Sequence, residues 1–268
     1  KSLQNRRTNH QVLKAVPVLG GVPTAPDAEA WRQAEPMDVR LTGQVVGAPR
    51  WQNPSIELAT LRALTDGKEI AFLIEWDDAF KDTVHKGDAE LDPKELRKVG
   101  GYNSYVAANG MVTRKLETFR DQIALQFPIK PPEGTKKPHF FRGKPSNPVH
   151  LWVWKADLAE GGKRAVVEAV SRGWRQKPKA QAQAKQQIAG KASWNQGRWR
   201  VVMKRPLVTD DKNDVQFAAG AFIPMAVNAW DGSNGEHGLI MSLSTWHYVF
   251  IEAPTPMRVY IFTVLAVL

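Results

Sequence analysis

The 268-residue sequence contains no cysteine. This absence excludes disulfide bonds, thiolate metal sites, cysteine-ligated iron–sulfur clusters and the covalent haem attachment of C-x-x-C-H motifs. It does not identify a redox compartment, because a chain without cysteine is compatible with either side of a membrane. The sequence also lacks the G-x-S-x-G, H-E-x-x-H, P-loop and dinucleotide-binding motifs. An enzyme acting on its own is therefore disfavoured.

Acidic side chains are in the minority, with 27 against 37 basic ones, and the formal net charge is +10. The excess is concentrated in a basic segment, Arg172–Arg205, which has ten Lys or Arg residues and no Asp or Glu. Such a segment can bind nucleic acid, anionic lipid or an acidic protein, or it can form a solvated loop. No nucleic-acid-binding motif accompanies it, so we expect a protein partner and no nucleic acid.

Apolar runs long enough to span a membrane are missing too. The C-terminal run after Arg258 has ten uncharged, mostly apolar residues. At about 1.5 Å per helical residue this run cannot cross a hydrocarbon core of about 30 Å. It follows a Pro-x-Pro break and shows no alternation, so it predicts the start of a membrane helix. A buried terminal strand is the alternative.

The hydrophobic pattern predicts a mainly β protein. Asp66-Gly67 lies between two apolar runs and predicts a hairpin of Ile56–Leu64 with Glu69–Trp76. Five further strands are predicted at Gln122–Phe127, Val149–Trp154, Arg198–Met203, Ala221–Ala229 and Ser244–Ile251. Helical periodicity is confined to Pro93–Val99 and Gly162–Ser171. We expect an antiparallel β-sandwich with long loops and few short helices.

Three segments divide the chain. Residues 15–36 carry four prolines, so 1–36 is predicted to be an extended N-terminal arm. Residues 37–252 form the predicted sandwich domain, and 253–268 form the apolar tail. Within the domain, Glu75, Asp77 and Asp78 flank Trp76 at a strand end. Acidic residues at the exit of a strand are usually solvated or capping, and we expect this here, with a catalytic carboxylate pair or a cation site as the alternative.

The stretch "HFFRGKPSNPVHLWVW", residues 139–154, combines aromatic side chains, histidines and a basic loop bounded by prolines. Trp152 and Trp154 point to one face of a strand and Leu151 and Val153 to the other, so the strand is buried on both sides or lines a flat apolar cavity. Residue types that coordinate haem iron accompany it. They are His139, Lys144, His150, Met225, His237, Met241 and His247. Each of these residues alone is more often an ordinary core or surface residue, and only their combination indicates a haem site.

Five blocks in order resemble the ethylbenzene-dehydrogenase-type haem-binding domain. They are "ALQFP" (124–128), "NPVHLWVWKADL" (147–158), "GRWRVVMKRPL" (197–207), "FIPMAVNAWDGSNGEHG" (222–238) and "SLSTW" (242–246). With "EWDD" at 75–78, the resemblance covers roughly residues 37–252. That family includes the γ subunits of type II molybdenum enzymes of the dimethyl sulfoxide reductase family. The resemblance implies a β-sandwich that holds one b-type haem between its sheets.

Residue roles follow from the resemblance. The Pro138–Pro148 loop is expected to cover one haem face, and basic side chains such as Arg142 or Lys144 are expected to meet the propionates. Apolar contacts to the haem are expected from Phe140, Phe141, Trp152, Trp154, Met225 and Trp230.

The axial ligands depart from the family pattern. The γ subunits commonly place a Met just before the Gly of this loop and a Lys shortly before Ser-x-Ser-x-Trp, where this sequence has Arg142 and Met241. We therefore expect Met241 to ligate the iron opposite His139 or Lys144, with His237 in reserve. Loss of haem is the alternative.

The predicted function is one-electron transfer by a haem b-binding subunit of a respiratory redox complex. The expected partners are other subunits of a membrane-associated complex, either molybdenum and iron–sulfur proteins or a cytochrome bc-type assembly. The expected location is the periplasmic or extracytoplasmic face, with the tail at the membrane. The alternative is a carbohydrate-binding or docking β-sandwich module without a redox cofactor.

Overall fold

The computed structural model describes residues 12–84, 119–133, 136–160 and 164–252. The predicted helix at Pro93–Val99 and the apolar tail from residue 253 lie outside these ranges. Among the described residues, no helix has the length and apolarity needed to cross a membrane.

The described residues form fourteen strands and one short α-helix, α1 (Ala156–Glu160). In chain order the strands are β1 (Val12–Pro17), β2 (Met37–Arg40), β3 (Thr42–Gly43), β4 (Leu58–Thr65), β5 (Glu69–Asp77), β6 (Gln122–Pro128), β7 (Val149–Lys155), β8 (Val166–Ser171), β9 (Lys179–Ala180), β10 (Ala189–Asn195), β11 (Arg198–Pro206), β12 (Phe222–Trp230), β13 (Ser242–Leu243) and β14 (His247–Ile251). Two 3-10 turns, at Glu29–Gln33 and Gln183–Lys185, complete the elements.

The strands form two layers that share β12. The first sheet has the order β10-β11-β5-β4-β1-β14-β12, and the second continues as β12-β6-β7-β8-β9. Residues 222–225 of β12 pair with β14, and residues 226–230 pair with β6. Short strand β13 pairs with β12 and β3. Neighbouring strands are antiparallel except at β1, which pairs in parallel with β4 and β14.

The mainly β prediction is confirmed, including the hairpin and all five further strands. Gly67 of the hairpin turn has φ +84°, a conformation that glycine adopts without steric cost. The helix predicted at Gly162–Ser171 is wrong, because residues 166–171 form strand β8 between β7 and β9. β-Branched Val166 and Val170 suit a strand, and the buried Glu168 finds its partners only in the tertiary structure.

The extended arm predicted for residues 1–36 stays a prediction, because residues 1–11 lie outside the described ranges. The first described part of this segment, β1, packs into the sheet. Leu13 and Ala15 of β1 are buried in the main core. Trp31 is buried against Leu64 and Val202 in a second cluster.

Aromatic side chains fill the space between the two sheets. Phe72 of β5 packs against Phe127 and Trp152 of the opposite sheet, with ring centroids 6.0 and 5.7 Å apart. Trp76 packs in the same way against Trp154, at 6.0 Å. Trp152 and Trp154 are fully buried. The inter-sheet layer is therefore a packed core.

Candidate functional site

A cavity of about 340 Å³ opens on the outer face of the second sheet. Its floor is apolar and comes from alternate residues of neighbouring strands, because side chains at every second position point to the same face. These residues are Ala124 of β6, Leu151 and Val153 of β7, and Val167 and Ala169 of β8. Trp230 of β12 lies on the same lining and donates its indole N–H to the Gly238 carbonyl at 3.2 Å.

Four basic side chains line the same cavity: Arg120, Arg142, Lys155 and Lys177. Arg120 is paired with Asp157 of α1, with Nη1 and Oδ2 2.7 Å apart. Arg142 donates from Nη2 to the Gly238 carbonyl at 2.9 Å. The cavity thus combines an apolar floor with positive charge, which suits a flat apolar ligand that carries carboxylates.

Gln126 holds the Pro138–Pro148 loop against the sheet. Its Nε2 donates to the Phe140 carbonyl at 2.7 Å, and its Oε1 accepts the Arg142 N–H at 3.1 Å. Arg142 has φ +59°, which is uncommon for a residue with a side chain. Its carbonyl accepts the Gly173 N–H at 2.8 Å and the Ser171 hydroxyl at 3.0 Å. Hydrogen bonds on both sides therefore fix Arg142 at the cavity.

His237 places an imidazole on the cavity lining. Its ring stacks on Phe119, with centroids 4.0 Å apart and planes inclined by 3°. His237 Nδ1 lies 2.8 Å from the Gly235 carbonyl oxygen, which can only accept, so Nδ1 carries a hydrogen; in the neutral ring the lone pair is then on Nε2. Metal-ligating histidines typically donate their other ring N–H to a carbonyl in this way.

Met241 is fully buried beside the cavity. It belongs to an apolar cluster with Phe141, Leu239 and two cavity-lining residues, Ala124 and Trp230. The other ligands expected from the sequence lie elsewhere: His139 and Lys144 are exposed, and His139 stacks on Phe140 at 4.7 Å.

The structure brings some of the predicted site residues together and separates others. Arg142, Trp230 and His237 line the cavity, and Phe141 and Met241 adjoin it. Trp152, Trp154 and Met225 belong to the inter-sheet core and point away from the cavity.

His150 belongs to a separate buried network. Its Nδ1 accepts the Val215 N–H at 3.1 Å, so Nε2 carries the hydrogen and faces Glu168 and Asp214 at 3.6 and 3.5 Å. Arg205 Nη1 lies 3.3 and 3.5 Å from the same two carboxylates. Burial, followed by the charge of Arg205, lowers the pKa of His150 well below its usual value. This group is an ion-pair network in which the protonated Nε2 cannot ligate a metal.

Three buried aspartates, Asp78, Asp121 and Asp231, form an acidic cluster at one end of the sandwich. Burial, followed by repulsion from Asp231, raises the pKa of Asp78 to about 7. Burial, followed by the charge of Asp78, raises the pKa of Asp121 to about 8. The neighbouring Glu75 is different, because it pairs with Arg62 and Arg200 at 2.5 and 3.0 Å. Asp77 is exposed and pairs with Arg198.

Half of the basic segment is paired with acidic residues from elsewhere in the chain. Arg198, Arg200, Lys204 and Arg205 contact Asp77, Glu75, Glu69 and Glu168, and Lys185 contacts Asp210. Arg172, Arg175, Lys177 and Lys179 are exposed and form no ion pair within the described residues. They lie before and on β9, beside the cavity.

The family model described as ethylbenzene dehydrogenase matches residues 28–186 and 171–242. The chain belongs to this family. The family resemblance expected from the five sequence blocks is thus confirmed.

Two relatives align over most of the chain. A protein named as a respiratory nitrate reductase heme subunit, from Haloferax mediterranei, is 26% identical over 233 residues, or 87% of this chain and 70% of its own length. The chlorate reductase subunit gamma of Ideonella dechloratans is 22% identical over 84% of this chain and 78% of its own. A solved family 9 carbohydrate binding module from Caldicellulosiruptor kristjanssonii, in complex with glucose, has a TM-score of 0.43 and 7% identity, covering 91% of this chain and 97% of the module.

Proposed function

We propose that this chain is a haem b-binding electron-transfer subunit of a respiratory oxidoreductase complex. The observation that carries the proposal is the position of His237, whose imidazole lines an apolar-floored cavity that also carries four basic side chains. The two relatives, named as subunits of nitrate and chlorate reductases, support the same assignment.

The residues of the cavity fit a haem. The small and branched floor residues Ala124, Val153 and Ala169 leave a flat apolar surface for a porphyrin, and Arg142 and Lys177 supply cations for its propionates. The inter-sheet space does not fit, because Phe72, Trp152 and the other core aromatics fill it. A bound haem would supply one-electron transfer at its iron, and the protein sets the potential through ligand, burial and hydrogen bonding.

His237 Nε2 would hold the iron of a bound haem. The Gly235 carbonyl and the Phe119 ring orient the imidazole, and this fixed orientation supports the assignment. For the opposite ligand the proposals remain Met241, His139 and Lys144. Burial in the cluster beside the cavity favours Met241 over the two exposed side chains.

Visible spectra of the purified, haem-loaded protein test the assignment. We expect one haem per chain, a Soret band that shifts on reduction, and conversion from low spin to high spin in His237→Ala. Met241→Ala should convert in the same way, while His139→Ala and Lys144→Ala should match the wild type. His247, which lies in β14 away from the cavity, provides a matched control as His247→Ala. A low-spin spectrum in His237→Ala contradicts the ligand assignment, and a protein that takes up no haem contradicts the function.

The carbohydrate-binding alternative is decided by the same preparation. Retention on an immobilised oligosaccharide, combined with failure to bind haem, would favour a binding module.

We also infer that the partner is a catalytic oxidoreductase subunit and that the complex works on the periplasmic or extracytoplasmic face. Removing the residues after Pro256 should release the protein from washed membranes if the apolar tail anchors it.

A further inference from the structure

The acidic cluster lies where three strands end. Asp78 directly follows β5, Asp121 directly precedes β6, and Asp231 directly follows β12. Each contributes a carboxylate oxygen, and these oxygens all lie within 4.8 Å of one another. All three side chains are buried. Three carboxyl groups are therefore brought together from distant parts of the sequence, out of contact with solvent.

Main-chain and side-chain donors hold two of the carboxylates in place. Asp121 accepts the N–H groups of Gly232 and Asp82 at 2.9 and 2.8 Å, and the Trp199 indole N–H at 3.0 Å. Asp231 Oδ1 accepts the backbone N–H and the hydroxyl of Ser233 at 2.8 and 2.6 Å. These contacts fix the positions of both carboxylates without supplying a positive charge.

Asp78 provides an independent indication of a ligand. The residue is 5% exposed, and its Oδ1 accepts the Phe80 N–H at 3.2 Å. Its Oδ2 is buried and receives no well-formed hydrogen bond from any described residue. The nearby Trp76 indole N–H partly offsets the rise in the pKa of this carboxyl. Within the described part of the chain, no Lys, Arg or His forms an ion pair with the three aspartates. A buried carboxylate oxygen without a donor or a cation is costly, and native structures rarely leave one so.

We propose that Asp78, Asp121 and Asp231 bind a calcium ion. A set of ligands made only of oxygen selects a hard cation. Calcium–oxygen distances of about 2.3–2.6 Å allow oxygens on opposite sides of the ion to lie about 5 Å apart, whereas magnesium, at about 2.0–2.1 Å, requires them within about 4 Å. The three oxygens meet the calcium limit, since all lie within 4.8 Å of one another. Three carboxylates also favour calcium, because magnesium keeps several waters and is usually held by one or two carboxylates. The ion also supplies the positive charge that the cluster requires.

Bound calcium would join the ends of β5, β6 and β12. The segment that follows β12 includes Asp231 and continues to His237 and Gly238 at the cavity. Glu236, in the middle of this segment, is anchored by the Trp51 indole at 3.0 Å and the Asp231 N–H at 3.2 Å. Calcium is thus placed to stabilise the segment that carries His237, whether or not the cavity binds haem.

Isothermal titration of the full chain with CaCl₂ after treatment with chelator, together with metal analysis, tests the proposal. We expect one calcium ion per chain. At a calcium concentration 100-fold above the dissociation constant, the unfolding temperature should exceed that in chelator by about 5–10 °C. An equal shift with magnesium at the same concentration would overturn the choice of calcium, and absence of calcium binding by the wild type would overturn the site.

The variant Asp78→Asn keeps the shape of the side chain and the contact with the Phe80 N–H. It should lose the calcium response and should unfold at a higher temperature than the wild type in chelator, because it removes one of three buried carboxyl groups that burial and mutual repulsion disfavour in the charged form. The matched control is the adjacent Asp77→Asn, whose carboxylate is exposed and paired with Arg198, and it should retain the wild-type response. A full calcium response in Asp78→Asn contradicts the site. If that variant fails to fold, the calcium titration of the wild type still shows whether the protein binds calcium.

Discussion

Arg205 Nη1 donates to Glu168 Oε1 at 3.3 Å, and neither side chain reaches solvent. The guanidinium also lies over the Trp152 ring, 5.1 Å from its centroid, and donates to the carbonyls of Pro206 and Val215. One buried cation thus links β11, β8 and the segment before β12. The main core and this polar network share Trp152, so damage to either should affect the other.

Arg205→Leu should destabilise the protein by about 3–5 kcal/mol, because it leaves Glu168 and Asp214 buried without their cation. Urea unfolding at pH 7 measures the loss. The matched control is Arg198→Leu, which breaks an exposed pair with Asp77 and should cost at most about 1 kcal/mol. Equal effects of the two substitutions would show that the buried network does not contribute in this way.

His150 should make the protein less stable in mild acid. Its folded-state pKa is lowered well below that of an unfolded histidine, about 6.5, so the unfolded chain binds more protons once the pH falls below that value. Stability is then lost as pH decreases from 6.5 towards the folded pKa, by up to about 1.4 kcal/mol per pH unit.

His150→Gln isolates this contribution, since the glutamine amide can still accept the Val215 N–H. Burial raises the pKa of Glu168. This group therefore changes the free energy of unfolding in the opposite direction, because the stability that it contributes is lost as pH rises above the usual glutamate pKa. Glu168 is present in both proteins, so the difference between their urea-unfolding profiles from pH 7 to 5 reports the histidine. Parallel profiles would contradict the prediction.

Gln126→Leu should loosen the Pro138–Pro148 loop. It removes the donor to the Phe140 carbonyl and the acceptor of the Arg142 N–H, and an unpaired buried group costs about 1–3 kcal/mol. Hydrogen exchange at the Arg142 amide should accelerate while exchange in β4 and β5 stays unchanged. Gln126→Glu keeps the acceptor and should protect that amide better than leucine does. Unchanged exchange in both variants would show that Ser171 and Gly173 alone hold the loop.

Local chemistry made much of the fold predictable. Asp66-Gly67 determines its turn with its own residues, so the hairpin followed from the sequence. The apolar side chains on both faces of β7 indicated that both faces are covered, but they did not show which face belongs to the sandwich core. The large Trp152 and Trp154 side chains suit the thick inter-sheet layer, and Lys155, which continues the face of Leu151 and Val153, was the available sign that this face is the outer one.

The candidate site was less predictable because its parts come from separate strands. Arg120, Lys155 and Lys177 meet only across β6, β7 and β9, and no local pattern links them. Asp121 and Asp231 join Asp78 for the same reason, so "EWDD" alone indicated a strand end with carboxylates and not the cluster. The strand at β8 was missed for a related reason, because the charged Glu168 becomes favourable in a buried strand only beside Arg205.

The exposed part of the basic segment, Arg172 to Lys179, should guide association with an acidic partner surface. Arg175→Gln combined with Lys179→Gln should lower the association rate with the catalytic subunits several-fold at low ionic strength and flatten its dependence on salt, because long-range attraction acts mainly on the encounter step. The matched control is Lys204→Gln, whose ammonium is already paired with Glu69 at 2.7 Å and should contribute little to steering. Biolayer interferometry between 20 and 300 mM salt measures the association rate of each variant and its dependence on salt. Association that is equally fast in all variants would mean that Arg175 and Lys179 form only a solvated surface and that docking uses another face of the sandwich.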